Sequence, residues 1–269
     1  MRRCLLVYLV LAAALACASF GAPEDRAQEW KAVEEARKKG LPKTAIEHLG
    51  QITDAALKEK AYPEAVKAVA FRIVFESEIE GDAAAERIRR MQAAIAAAPA
   101  EMLPAMHALL AHWFWGYYEQ KRWQFLRRTR TAAASGEDFA TWDLPRIFAE
   151  IDRWFARALS SAEALKRIPI AQYDALLEKG TMPDSYRPTL YDFIAHEALA
   201  FYTSVEQAGA KSENAFELSA GSPILGPAAE FMGWKVATAD TDAPQVKAIA
   251  LYQALLRFHE GDADSTAFL

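Results

Sequence analysis

Cysteine is nearly absent from this chain of 269 residues, which contains only two. Both of them, Cys4 and Cys17, lie in the first twenty residues, where the sequence predicts a removable leader. Ordinary cleavage of that leader leaves a mature chain without cysteine. Such a chain has no disulfide, no thiol nucleophile and no zinc–thiolate site, whatever compartment it occupies.

Basic residues are also too few to balance the acidic ones. The chain has 31 Lys and Arg against 36 Asp and Glu, which gives a formal net charge of −5. The predicted leader carries Arg2 and Arg3 and no acid, so its removal makes the net charge −7. An acidic protein is a poor candidate for nucleic acid binding, and we expect no nucleic acid partner.

The N-terminal apolar run is too short for a comfortable transmembrane span. It extends almost without interruption from Cys4 to Leu15, follows the basic start Met1-Arg2-Arg3, and precedes a cluster of small residues. This pattern predicts a secretory signal peptide over residues 1–22 and an exported protein, periplasmic or envelope-associated. The other interpretation is an N-terminal anchor that is never removed.

Two modes of cleavage fit the end of this leader. Ala16-Cys17-Ala18 matches an A-x-A site for ordinary cleavage. Alternatively, Ala14-Leu15-Ala16-Cys17 resembles a bacterial lipobox, in which Cys17 would become the lipidated first residue. That match is imperfect, because Ala14 stands where a larger aliphatic residue is usual and Leu15 where a small one is usual. A lipid anchor on Cys17 is the only membrane attachment that we expect.

Alternating strand patterns are missing, and the apolar spacing after the leader is helical almost everywhere. Gly40 and Pro42 mark the end of one helix and the start of the next. The segments that begin at Pro42 and Tyr62 are alike at a spacing of about twenty residues, as in solenoid repeats. We therefore predict an all-α domain over residues 23–269, built from antiparallel helix pairs in a tetratricopeptide-like, solenoid-like array. The predicted helices are Glu24–Lys39, one from Pro42, one from Pro63, Ala83–Ala97, Glu101–Gln120, Leu144–Ser160, Ile170–Lys179, Thr189–Gln207, Pro227–Met232 and Ala243–Glu260.

No nucleophile, metal site or phosphate-binding loop stands out. Asp192 and His196 are i, i+4 neighbours, and a carboxylate that orients an imidazole is half of a catalytic relay, yet no motif ties a Ser or Cys to them. Thr189 and Asp192 also read as a helix-capping pair. We therefore expect no enzyme activity, no cofactor and no metal. The remaining histidines lack metal-ligand spacing: His48, His107, His112 and His259.

The segment from His112 to Arg130 combines aromatic and basic residues. Its first part, residues 113–118, has aromatic side chains on both faces of a helix, which favours a core helix packed between neighbours over a glycan- or peptide-binding platform. Its second part, residues 121–130, mixes five basic residues with two aromatic ones, and we expect ion pairs with neighbouring helices or an anionic surface. The candidate interaction residues are Trp113, Trp115, Tyr118, Arg122 and Trp123.

Several blocks, taken in order, resemble the N-terminal helical region of the large bacterial alpha-2-macroglobulin-like proteins. Each block is short, but the series extends over nearly the whole mature chain. The blocks are Trp30 with residues 39–45, Val66-Lys67-Ala68, Trp115 to Trp123, Arg128-Thr129 with residues 138–143, Ile168-Pro169-Ile170, Arg187 to Phe193, and Leu251 to His259.

This resemblance implies an envelope location and a protease-inhibitor context, with entrapment and, in some members, a Cys–Gln thioester. No residue of that activity is present here, because the thioester and the bait region would lie in later β-sandwich domains. We expect the chain to stop ahead of those domains and to act as a non-enzymatic module that binds them or other envelope proteins. The alternative is a stand-alone envelope enzyme, or a glycan- or peptide-binding protein that uses residues 113–118.

Overall fold

The computed structural model describes residues 24–79, 83–127, 138–177, 181, 183–210, 216, 218–219 and 221–268. The predicted signal peptide and Cys17 lie outside these residues, as do Arg128 and Arg130 of the basic segment. Within the described ranges, none of the helices is both long enough and apolar enough to span a membrane.

The described part of the chain is all-α, which confirms the all-α part of the predicted fold class. Ten α-helices are joined by turns and short 3₁₀ helices. They are α1 Glu24–Lys38, α2 Pro42–Lys58, α3 Tyr62–Glu78, α4 Ala83–Ala97, α5 Leu103–Arg127, α6 Leu144–Leu159, α7 Ala162–Leu165, α8 Leu190–Tyr202, α9 Ala228–Gly233 and α10 Pro244–His259.

Local sequence explains several helix ends. Gly40 adopts a φ of 65°, the left-handed conformation that glycine tolerates best, and so ends α1. Pro42 then occupies the first turn of α2, where its missing amide hydrogen costs nothing. Asp143 caps α6 by accepting a hydrogen bond from the Arg146 amide at 3.1 Å.

Consecutive helices pack on one another from α1 to α6. Helix α8 then packs against α5, α6, α7 and α10, so the second half of the chain returns to the middle of the molecule. One large core cluster joins α3–α6 with α8 and α10, and a smaller one lies between α1, α2 and α3. The smaller cluster consists of Val33, Ala36, Ala45, Leu49, Ile52, Ala68 and Phe75.

The chain between α7 and α8 differs from the prediction of a helix over Ile170–Lys179. Over the described residues 170–177 of this span, a 3₁₀ helix forms from Ile170 to Tyr173 and is followed by turns, and the last two predicted residues lie outside the described ranges. Just before it, the backbone of Pro169 pairs with that of Thr189 in an isolated antiparallel bridge. The Ile170 amide donates to the Pro188 carbonyl at 2.9 Å, and the Leu190 amide donates to the Ile168 carbonyl at 2.8 Å. Because these tertiary bonds extend the backbone here, the local helical pattern is overridden.

Candidate functional site

A buried polar site joins the start of α8 to the end of α10. His259 Nε2 lies 2.8 Å from Asp192 Oδ1, and His259 Nδ1 lies 2.7 Å from Asp262 Oδ2. The side chains of His259 and Asp192 are only 2% and 1% exposed. We call this Asp192–His259–Asp262 arrangement the α8–α10 clasp.

The capping box of α8 fixes the carboxylate of the clasp. Asp192 Oδ2 accepts hydrogen bonds from the amide and the hydroxyl of Thr189, at 2.9 and 2.7 Å. The Thr189 hydroxyl in turn accepts from the Asp192 amide at 3.4 Å. One carboxylate oxygen therefore caps α8 while the other binds the imidazole of α10. The capping box and the clasp together give the block Arg187 to Phe193 a structural explanation.

Both ring nitrogens of His259 face carboxylates, which favours the imidazolium form. Burial alone would lower the pKa of His259, but the hydrogen bonds with Asp192 and Asp262 outweigh it and hold the pKa above its usual value. Asp192 and His259 are closed to solvent, Asp262 is 43% exposed, and the Thr189 hydroxyl already donates to Asp192. This geometry suits a charged structural tie rather than a proton relay to a substrate.

We predict that the clasp makes stability fall as pH rises above about 6.5. The pKa of His259 is higher in the folded state than in the unfolded state, so its contribution is complete below the unfolded value of about 6.5 and disappears as pH rises through the folded pKa. Urea unfolding from pH 6.5 to 9 should show this loss. It should be absent from His259→Leu, and an identical slope in both proteins would contradict the assignment.

Two further histidines have pKa values that shift in the opposite direction, and they determine the pH range in which the unfolding measurement should be made. Burial lowers the pKa of His107, assisted by the Arg157 charge, and burial lowers the pKa of His196, assisted by the Arg187 charge. Their contributions are complete above about 6.5 and are lost as pH falls through the lowered values. Above pH 6.5 the contribution of His259 is therefore separated from those of His107 and His196.

The structure assigns Asp192 a different partner from the one that its sequence neighbourhood suggests. The i, i+4 spacing places His196 beside Asp192, yet the hydrogen bond of Asp192 goes to His259, 67 residues away. No pattern in the sequence joins these two residues, because they lie on different helices and their recognisable local motifs involve other residues. Both nevertheless belong to blocks that the resemblance singled out.

The candidate interaction residues separate into buried and exposed groups along α5. Tyr118 is buried, and Trp115 is half-buried with its ring against Tyr118, Phe148 and Phe201 at centroid distances of 5.3–5.9 Å. Trp113 is likewise half-buried and packs against the large core cluster. These three aromatic residues therefore pack mainly in the core, as the presence of aromatic side chains on both faces of the helix indicates.

Arg122 and Trp123 lie at the exposed end of the same helix. Trp123 is 74% exposed, and Leu126, one turn further on, is 47% exposed. Arg122 forms an ion pair with Glu206 at 3.2 Å, which brings the neighbouring Val205, 79% exposed, to the same end of the molecule. We call Arg122, Trp123, Leu126, Arg127 and Val205 the α5-end surface.

A cavity of about 390 Å³ lies between the first half of α5, the first half of α8 and the turn after Tyr173. At its opening His112 Nδ1 and Glu197 Oε2 are 3.8 Å apart. The candidate aromatic residues Trp113 and Trp115 do not line it. Neither does His196, so this cavity is separate from the pairing that the sequence suggested.

Among the described residues, no group of three or more His, Cys, Asp and Glu side chains is arranged to hold a metal ion. Comparison with known proteins adds no assignment. No protein-family model, curated protein or solved structure matches this chain. The function is therefore inferred from the residues of the chain and their contacts.

Proposed function

We propose that this chain is a non-enzymatic helical module of the cell envelope that docks a protein with an acidic surface through the α5-end surface. The observation that carries the proposal is the exposure of Trp123 and Leu126 beside Arg122 and Arg127. Large apolar side chains that are exposed together, with arginines next to them, are typical of the energetic centre of a protein interface.

The packing of α5 supports a docking role for Trp123 and Leu126, because the core already occupies the opposite face of the helix. The helix face opposite Trp123 is fully used, since Phe125 is buried and contacts the rings of Tyr117 and Tyr118. Trp123 and Leu126 are one turn apart on the other face, so they form one continuous strip. Burying both on a partner would remove a large apolar area from water, and the arginines favour an acidic partner.

The titratable groups support the non-enzymatic part of the proposal. Asp192 and His259 are engaged with each other, with Thr189 and with Asp262, and both are closed to solvent. A general base needs hydrogen-bond reach to a substrate proton, which this burial denies. The clasp instead ties α8 to α10 and keeps the scaffold rigid.

The same proposal includes a tetratricopeptide-like arrangement of the first helices. Helices α1 to α4 each pack on the next, and α2 and α3 begin in the same way, with a proline in the first turn. Stacked helix pairs present extended surfaces for protein partners. Such a scaffold suits a module that precedes further domains.

The envelope context comes from the predicted leader and from the resemblance to alpha-2-macroglobulin-like proteins. Blocks of that resemblance supply contacts between elements in this chain. Trp30 donates to Glu64 at 2.8 Å and its ring lies 4.0 Å from the Lys67 ammonium, which binds α1 to α3. Gln253 donates to the carbonyls of Phe231 and Trp234 at 2.7 and 2.8 Å and binds α9 to α10.

Photo-crosslinking in the native cells tests the docking proposal. A benzoylphenylalanine at position 123 should give one discrete protein adduct, whereas the same residue at Leu41, 49% exposed between α1 and α2, should give none. Adding Arg127→Glu should reduce the adduct at least fivefold, because it places a carboxylate against the acidic partner. Lys43→Glu, an exposed charge reversal on α2, is the matched control and should leave the adduct unchanged.

Several results would overturn this proposal. Equal adducts at positions 123 and 41, or an adduct that Arg127→Glu leaves intact, would exclude a specific α5-end interface. An adduct confined to cytoplasmic proteins would refute the envelope location. The alternative, a glycan- or peptide-binding platform on residues 113–118, has less support, because Trp113 and Trp115 pack on the core and do not line the α5–α8 cavity.

A further inference from the structure

The cavity between α5 and α8 has two matching walls. Each helix lines it with residues at positions i, i+4 and i+7, the spacing of a single helix face. Both faces are apolar at the start and end in a polar residue, so the cavity has an apolar interior and a polar opening. The wall residues are Ala105, Leu109 and His112 on α5, and Leu190, Ile194 and Glu197 on α8.

Tyr173 closes the third side and brings a hydrogen-bond donor. Its side chain is 3% exposed and lines the cavity, yet its hydroxyl makes no hydrogen bond to any other residue that the structure describes. Burial raises the pKa of Tyr173 to about 12, so the hydroxyl keeps its proton at physiological pH. Because Tyr173 lines the cavity and keeps its proton, its hydroxyl can donate a hydrogen bond to an oxygen atom of a ligand there.

The opening selects for charge. The Glu197 carboxylate at the rim would attract a cation or a hydrogen-bond donor and repel a carboxylate. The volume of about 390 Å³ lies in the range of pockets that hold small molecules and is too small for a folded partner. These features define the chemistry of an occupant.

We propose that this cavity binds a small molecule with an apolar chain, an oxygen acceptor for Tyr173 and a neutral or cationic hydrogen-bond donor for Glu197. A primary amide of a medium-length chain has all three features. This inference is independent of the α5-end surface, because the two sites share no residue. Either proposal can fail without the other.

Methyl NMR of the full chain with two isosteric probes tests the proposal. Octanamide offers a carbonyl acceptor and an amide donor, whereas octanoate has the same shape and a negative charge. Octanamide should perturb the methyl signals of Leu109, Leu190 and Ile194 saturably, and octanoate should bind at least tenfold more weakly. Absence of saturable binding, or equal binding of both probes, would overturn the proposal.

Three variants separate the cavity from nonspecific apolar binding. Ala108→Phe fills the cavity from a half-buried wall position and should abolish octanamide binding, while Ala200→Phe, at an exposed position of α8 outside the cavity, should not. Tyr173→Phe removes only the hydroxyl and should weaken binding about five- to tenfold, the usual effect of one lost hydrogen bond. Binding that survives Ala108→Phe would refute the site.

The same spectra exclude a competing occupant. If a second copy of the chain inserts into this cavity, the methyl signals of Leu109 and Ile194 will move with protein concentration when no probe is present. That result would replace the small-molecule proposal with self-association. Spectra that do not change with protein concentration, together with saturable octanamide binding, support it.

Discussion

His259→Leu is expected to lower the free energy of unfolding by about 3–5 kcal/mol, the range seen when one partner of a buried ion pair is removed. Leucine fills much of the space of the imidazole but leaves the Asp192 carboxylate, 1% exposed, without its cation. The Thr189 bonds remain and satisfy only Oδ2. Urea unfolding near pH 6.5, where His259 contributes most, is the appropriate measurement.

A surface histidine provides the control for that experiment. His48 contacts Glu29 through its Nδ1 atom, but the two side chains are about a third exposed. His48→Leu is therefore expected to cost less than about 1 kcal/mol. The double variant Asp192→Asn with His259→Leu should recover part of the loss, because no charge stays buried. Equal losses for His259→Leu and His48→Leu would show that the clasp does not hold α10 in place.

Phe114→Ala should destabilise the protein to a similar extent, by about 3–5 kcal/mol. Phe114 is fully buried and lies between Phe139, edge-on at 5.4 Å, and Trp142, stacked at 6.2 Å. Alanine leaves a void among rigid rings that cannot easily close, so the cost includes lost burial and the cavity itself. Thermal or urea unfolding followed by circular dichroism measures it.

The matched control lies nine residues further along the same helix. Trp123→Ala removes a larger aromatic side chain, but one that is 74% exposed, and should change the free energy of unfolding by less than about 0.5 kcal/mol. A large destabilisation by Trp123→Ala would mean that this ring packs inside the folded chain. It would then count against the α5-end surface as well.

The elements that follow from local physics could be predicted from the sequence. The helix predicted over Ala83–Ala97 forms with these same bounds. The Thr189–Asp192 capping box also forms, as its residue types indicate. Gly40 ends α1 because only glycine takes a positive φ at little cost. These features depend on residues within one helical turn of each other, and that information is present in a short stretch of sequence.

The features that depend on distant residues could not be predicted in the same way. The Asp192–His259 pair joins residues that are 67 positions apart. The Pro169–Thr189 bridge comes just before residues 170–177, which form a 3₁₀ helix and turns instead of the predicted helix. Along α5 from residue 113 to residue 126, aromatic and apolar side chains lie on both faces, so periodicity does not tell which ring is exposed. The exposure of Trp123 becomes visible only when the neighbours of α5 are placed.

The α8–α10 clasp has a consequence for biosynthesis. Helices α1 to α5 each contact their immediate successor, so each new pair can pack soon after it leaves the ribosome or a translocation channel. The ion pair of Asp192 forms only after His259 has also emerged, because the imidazolium that pairs with this carboxylate belongs to α10. The first helices can therefore fold while the chain is still being synthesised. Helix α8 completes its contacts last, and until then a chaperone or protease would recognise the chain as incompletely folded.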